Sequence, residues 1–270
     1  MKIGLICCFY GNRKYLDDVI SPWIELKNQN KIDLTLTLVH GQFKEYHDLG
    51  YPDNDKETLA WIDENKSKFD YIYIQEQHLI GSKYFQGDTS QYQDESTIRN
   101  YGLKYLLKNK VDAILLLDGD EIYSKSEILK LINFIDNEPY IPWFRIEFKN
   151  LVFTEHTYIN GFKPPRIFRT NINEWYLRQF YYDNDVLYST KLEEKTIDYK
   201  NLACITIPKN ICNPLHFTWL DDKISKKKIE YQEKHFAHGA GCSFKWDNGL
   251  KWNEEYFKKL GQPIPELLIV

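Results

Sequence analysis

The chain has 270 residues, 43% of them hydrophobic, which is enough apolar material for one large core or two small ones. Its 35 basic and 39 acidic side chains leave a net charge of -4, which excludes the broad basic field that draws proteins onto nucleic acid or anionic lipid. The five cysteines, Cys7, Cys8, Cys204, Cys212 and Cys242, form no C-x-x-C pair and are odd in number, so neither a disulfide framework nor a cysteine zinc site fits them and a reducing compartment is expected.

Ile3 to Tyr10 predicts a first strand, with Cys7 and Cys8 as small buried hydrophobes inside it. Gly11-Asn12-Arg13-Lys14 follows at once, a poor fit to a signal peptide, and no stretch has the length to span a bilayer. A cytoplasmic protein is therefore expected. Residues 12 to 29 read as a helix, Leu34 to Val39 as a strand, residues 55 to 67 as a helix and Tyr71 to Ile74 as a strand. A helix from about Asp94 to Lys108 carries Ile98, Leu103, Leu106 and Leu107 at helical spacing, and Ala113 to Leu117 forms the fourth strand. These strands are continuous apolar runs rather than alternations, as in a parallel sheet covered by helices on both faces. A ligand site belongs at the carboxyl ends of such strands.

Asp118-Gly119-Asp120-Glu121 stands at one of those ends. Close carboxylates destabilise one another unless a cation, a proton or a basic partner neutralises them, and a divalent metal is the simplest answer. Asp and Gly are also ordinary turn formers, but here a buried strand leads into them and a third carboxylate follows. Phe9-Tyr10-Gly11-Asn12 after the first strand and His40-Gly41-Gln42 after the second open on the same edge. The aromatic content is high, 16% with 20 Tyr, and such faces either fill the core or stack on bases and sugars.

Beyond the acidic loop, Ser124 and Glu127 make a capping box for a helix with Ile128, Leu131, Ile132 and Ile135 on one face. Trp143 to Phe153 is largely alternating and Pro165-Arg166-Ile167-Phe168-Arg169 reads as a short strand, so mixed or antiparallel strands are expected to extend the parallel half. With no internal repeat or clean linker, residues 1–270 are expected to form one domain with halves at 1–137 and 138–270.

Asn12, the Arg99-Asn100-Tyr101-Gly102-Leu103 helix and Leu117-Asp118-Gly119-Asp120-Glu121, in that order, resemble a GT-A glycosyltransferase of the family 2 type with its DxD motif. The resemblance is strongest over residues 1 to 135. Arg166-Ile167-Phe168-Arg169, His216-Phe217-Thr218-Trp219 and a Lys-rich helix from Asp221 to His238 resemble the later part of such enzymes. It implies a mostly parallel Rossmann-like sheet flanked by helices, a nucleotide-sugar-binding first half and an acceptor-binding second half.

It further implies a nucleotide-diphosphate sugar donor, a UDP-sugar by preference, a glycan or glycoconjugate acceptor, and Mn²⁺ or Mg²⁺ as cofactor. Asp120 would contact the metal, Asp118 the ribose or the metal's shell, and His216 would be a third ligand or touch the diphosphate. Without the resemblance, His216 reads as a satisfied structural residue. Arg99 would lie near the diphosphate or lock the acidic loop, and Lys223 would meet phosphate oxygens or simply face water. Phe9, Tyr10 and Asn12 would floor the nucleoside site, unless Phe9 finishes the core. His40-Gly41-Gln42 stands where the family often has an acidic residue, which leaves the base contact open. As catalytic base an inverting enzyme needs a carboxylate near the acceptor hydroxyl, and Glu174, Asp183 and Asp185 are available, with Glu174 beside Trp175 and Asp185 the leading pair.

Other classes share parts of this pattern. A haloacid dehalogenase-like phosphatase also carries DxD after a strand, but normally the first strand. A nucleotidyltransferase would need a Gly-rich loop with a basic residue there. A non-catalytic carbohydrate-binding relative would keep the aromatics and acids, although βαβ order departs from the usual all-β lectin sandwich.

Overall fold

A computed structural model describes residues 1–11, 13–42, 55–75, 95–152, 156–170, 204–219 and 266–267. Its centre is strand β1 (Lys2–Cys8), parallel to β2 (Asp33–His40) on one side and to β4 (Ala113–Asp118) on the other, with β3 (Tyr71–Ile74) parallel beyond β2. Helices α1 (Leu16–Asn28), α2 (Lys56–Asn65) and α3 (Glu95–Lys108) connect these strands in turn. The fold is α/β, as the sequence predicts.

Strand alternation divides the apolar residues between two cores. Leu5, Cys7, Leu36, Leu38, Leu115 and Leu117 pack with Trp23 of α1 and Trp61 of α2, while Ile6, Val39, Ile114 and Leu116 pack with Ile98, Leu103 and Leu106 of α3. Both faces of the central strands β1, β2 and β4 are thereby dry, which explains why these strands read as unbroken apolar runs. A fully buried Leu or Ile contributes roughly 1.5–3 kcal/mol. Helix α4 (Lys125–Asn137) joins the first core through Ile128, Leu131 and Ile135, and its Ser124–Glu127 capping box is formed.

The remaining strands are β5 (Glu121–Ile122), β6 (Trp143–Arg145), β7 (Phe148–Val152), β8 (Thr157–Phe162), β9 (Pro165–Arg169), β10 (Cys204–Thr206), β11 (Leu215–Trp219) and β12 (Glu266–Leu267). The main sheet has the order β10-β6-β9-β4-β1-β2-β3, mostly parallel, with β9 antiparallel to both β4 and β6. A second sheet has the order β12-β8-β7-β11-β5. Among the described residues no helix is long and apolar enough to cross a membrane.

Three boundaries differ from the sequence reading. The first strand stops at Cys8 rather than Tyr10, and the helix expected from residue 12 begins at Leu16, because Gly11 turns the chain with a φ of +71°. Trp143 to Phe153 is not one strand. Its ladder with β9 slips between Phe144 and Arg145, after which the chain leaves the main sheet and Phe148–Val152 joins the second. Ile146 and Glu147 at the crossing are both buried, so the apparent alternation concealed a change of sheet. His216-Phe217-Thr218-Trp219 lies in a strand, whereas the Lys-rich segment from Asp221 to His238 lies outside the described residues.

Helix α3 approaches the sheet at Gly102. A Cβ there would stand 2.8 Å from Thr37 Oγ1, which is fixed by donating to Leu5 O at 2.8 Å, and 3.3 Å from Ile6 Cγ2. Gly102→Val is therefore expected to destabilise the fold by ~1–3 kcal/mol, read from the urea midpoint, and an unchanged midpoint would contradict this packing.

Candidate functional site

Strand β4 delivers Asp118 to the carboxyl edge of the main sheet, opposite Cys8 of β1, and the turn through Gly119 and Asp120 leads into β5. Strand β11 runs antiparallel to β5 with His216 opposite Glu121, and the Phe217 amide donates to Asp120 O at 3.0 Å. The approach to β11 is also fixed: the Asn213 amide donates to Glu127 Oε1 at 3.0 Å, the capping-box glutamate of α4. These backbone contacts bring His216 to the acidic loop.

The His216 imidazole is buried, with Nδ1 2.6 Å from Asn150 Oδ1. Asn150 in turn directs its Nδ2 to Ile159 O at 3.4 Å, which orients the amide with its oxygen toward the histidine. An amide oxygen only accepts, so Nδ1–H donates and neutral His216 carries its lone pair on Nε2. That Nε2 faces Asp120 Oδ2 at 3.5 Å. Two acceptors so placed are complementary to a proton or a cation between them. The ring stacks on Phe162, centroids 5.3 Å apart, and lies 5.8 Å from Phe148.

Asp118 and Glu121 meet arginines. Asp118 Oδ1 accepts from Arg99 Nη2 of α3 and Oδ2 from Arg166 Nη2 of β9, each at 2.9 Å. Arg166 also donates to Glu121 Oε1 from Nε at 2.9 Å and from Nη2 at 2.6 Å. Glu121 is fully buried, and burial pushes its carboxyl up to about 8 against the pull of Arg166, with Asp118 and Asp120 adding to the rise. The charge problem of the acidic loop is thus answered in part by basic partners, the alternative to a metal. Among the described residues no three His, Cys, Asp or Glu side chains are gathered to hold a metal ion, so the expected set of Asp118, Asp120 and His216 is not a ready cage. The arginines draw Asp118 to themselves, and Asp120 with His216 remain as a facing pair.

On the neighbouring loop, Phe9 is fully buried with its ring edge-on to Trp61 at 5.9 Å, so it finishes the core and is not a floor for a base. Tyr10 is half-buried at the edge, its ring 5.4 Å from that of His40. Asn12, Glu174, Asp183, Asp185 and Lys223 lie outside the described residues.

Three contributors escaped the sequence reading. Asp55 comes to the loop after β1, where its Oδ2 accepts from the Gly11 amide at 2.7 Å and from His40 Nε2 at 3.1 Å. Burial would raise its carboxyl, but the hydrogen bonds from His40 and Gly11 outweigh this and hold it below its ordinary value. A carboxylate therefore does reach the end of the second strand, from fifteen residues further along. Arg166 was named within the strand motif Arg166-Ile167-Phe168-Arg169 but with no role at the acidic loop, and Asn150 carried no signal.

No protein-family model matches the chain, and no curated protein matches it in sequence. Among solved structures it is similar to S. aureus TarS 1-349, with a TM-score of 0.40 and 17% identity over 63% of this chain and 47% of that one. The same fragment in complex with UDP-GlcNAc gives a TM-score of 0.40 and 17% identity over 63% and 46%. Glucosyl-3-phosphoglycerate synthase from Mycobacterium tuberculosis, in complex with Mn²⁺, UDP-glucose and phosphoglyceric acid, gives 0.31 and 13% over 55% and 44%. The chain spans less than half the length of each of these structures.

The Glu121 carboxyl yields a pH prediction. A folded value of about 8 against an ordinary 4.5 means that the folded protein holds the proton more tightly, so this contribution is fully present below about 4.5 and is lost as pH rises through about 8. Glu121→Gln keeps the neutral form at every pH. Relative to wild type it should gain on the order of 1–3 kcal/mol between about pH 5.5 and about pH 8.5, measured by urea unfolding in EDTA, and parallel profiles would rule this out.

Proposed function

We propose that the protein is a metal-dependent glycosyltransferase of the hexosyltransferase type, acting in the cytoplasm. It moves a sugar from a nucleotide-diphosphate donor, UDP-sugar by preference, to a hydroxyl of a glycan or other glycoconjugate. The observation that carries this reading is the facing pair at the carboxyl edge of the parallel strands, Asp120 Oδ2 and His216 Nε2, 3.5 Å apart with the tautomer set by Asn150. One carboxylate oxygen and one imidazole nitrogen fit Mn²⁺ better than the strictly oxygen-seeking Mg²⁺. When bound, the ion supplies Lewis-acid neutralisation of the diphosphate leaving group.

The chain's own residues divide the remaining work. Asp120 and His216 would hold the ion, and Asn150 orients His216. Asp118, kept in place by Arg99 and Arg166, lies toward the ribose. Tyr10 and Asn12 line the nucleoside end, and Lys223 meets phosphate oxygens. In an inverting transfer, Glu174 or Asp185 accepts the acceptor hydroxyl's proton as that oxygen bonds to the anomeric carbon. The bond from that carbon to the diphosphate oxygen breaks, and its electron pair leaves with the diphosphate. The phosphatase alternative needs a nucleophilic first Asp, and Asp118 has a guanidinium on each oxygen, which lowers its nucleophilicity.

Mn²⁺ with UDP should raise the melting temperature, and a UDP-sugar should be hydrolysed slowly without acceptor; donor binding without any turnover on an acceptor panel would instead indicate a binding protein. Asp120→Asn should lower turnover ~100-fold or more with the fold intact by circular dichroism. Asn150→Ala should weaken Mn²⁺ affinity by ~10–100-fold, followed by calorimetric titration, and an unaltered affinity would remove His216 from the ligand pair.

A further inference from the structure

We infer that Arg166 is a positioning residue that, together with Arg99, restrains Asp118 and so keeps the cation affinity of the Asp120–His216 pair low. The inference rests on the proposed metal role of that pair. Arg166 and Arg99 are both buried, and each donates to a different oxygen of Asp118 at 2.9 Å. Asp118 is two residues from Asp120 across the Gly119 turn, and both its oxygens already carry a guanidinium N–H. Arg166 cannot follow Asp118 outward, because Nε and Nη2 are also spent on the buried Glu121. Its Cζ lies 5.7 Å over the Phe148 ring, which is 5.8 Å from His216, so a single residue braces the acidic turn and backs the histidine's neighbour.

The consequence is a weak site by arrangement. Among the described residues two side chains would hold the ion, which would leave positions for the diphosphate of the donor, so the ion would be held well only while a nucleotide is present. A third carboxylate would raise affinity for the ion alone and slow the departure of the nucleotide diphosphate.

The test is Mn²⁺ binding by the full chain, read from the electron paramagnetic resonance signal of free Mn²⁺, with and without UDP. Arg166→Gln removes one positive charge and releases one Asp118 oxygen, and it should tighten Mn²⁺ binding without nucleotide about fivefold or more. Arg166→Lys, which keeps the charge and one donor, should remain within about twofold of wild type. Adding Asp118→Asn to Arg166→Gln should abolish the gain, whereas a gain that survives would mean a general field effect and would overturn the restraint.

A purely structural role predicts weaker binding together with lower stability, and unchanged or weaker binding in a folded Arg166→Gln would likewise overturn it. Should Arg166→Gln not fold, Arg99→Gln frees the other Asp118 oxygen and is read in the same way. Wild type that takes up no Mn²⁺ even with UDP defeats the metal reading itself. An ion appearing only in the arginine variants would then sustain the restraint alone, and none in any variant would defeat both.

Discussion

Everything at the carboxyl edge depends on how three carboxylates are kept together at the end of a buried strand. Glu121 is fully buried and Asp118 is three-quarters so, and charges removed from water to this degree are tolerated only with close, well-directed partners. Arg166 supplies them for both residues at once. It comes from β9, the antiparallel strand that pairs with β4 through Leu115↔Ile167 and Ile114↔Phe168, so the second half of the chain is tied to the first by both a backbone ladder and a buried ion cluster. Removing Arg166 from this cluster leaves the carboxylates uncompensated, typically at ~3–5 kcal/mol. The cluster is therefore a weak source of net stability and a strong determinant of geometry.

The second sheet solves a different problem. Asp120 meets strand β11, whose pairing with β5 places His216 beside it. Because Asn150 on β7 fixes the tautomer, the orientation of the Nε2 lone pair is decided two strands away from the acidic loop. Both sheets are thus required to bring Asp120 and His216 face to face, although the acidic residues themselves belong to a single four-residue stretch.

What was legible in the sequence follows the range of the interaction. Strand runs, the α3 periodicity and the Ser124–Glu127 cap rest on neighbours within a turn or two, and these agree with the structure. The Asp118–Glu121 loop was recognisable because a buried run ended in charge. Arg99 and His216 were reached only through the family resemblance, and two further pairings were not legible: Arg166 and Glu121 are 45 residues apart, His216 and Asn150 are 66 apart, and no local pattern encodes either. Phe9 shows the converse difficulty. At the end of a strand a ring can face the ligand or the core, and only Trp61, far along the chain, decides for the core. The passage of Trp143 to Val152 from one sheet to the other was hidden because the apparent alternation runs on through Ile146 and Glu147, which are both buried at the crossing.

The same reasoning applies to the loop after β1. Gly11, at a positive φ, offers its amide to Asp55, and Asp55 also receives His40, so the loop is anchored to the end of β2 and to the start of α2 at one carboxylate. Tyr10, against the His40 ring, is consequently set before any ligand arrives. A ring already ordered costs less conformational entropy on binding than one on a free loop, where each immobilised side chain costs ~0.5–1.5 kcal/mol. In the proposed site Tyr10 is thus braced through Asp55, while Arg166 draws Asp118 away from the cation end. In the proposed reaction a donor that brings both a base and a diphosphate would meet an ordered ring at one end and would supply coordination at the other.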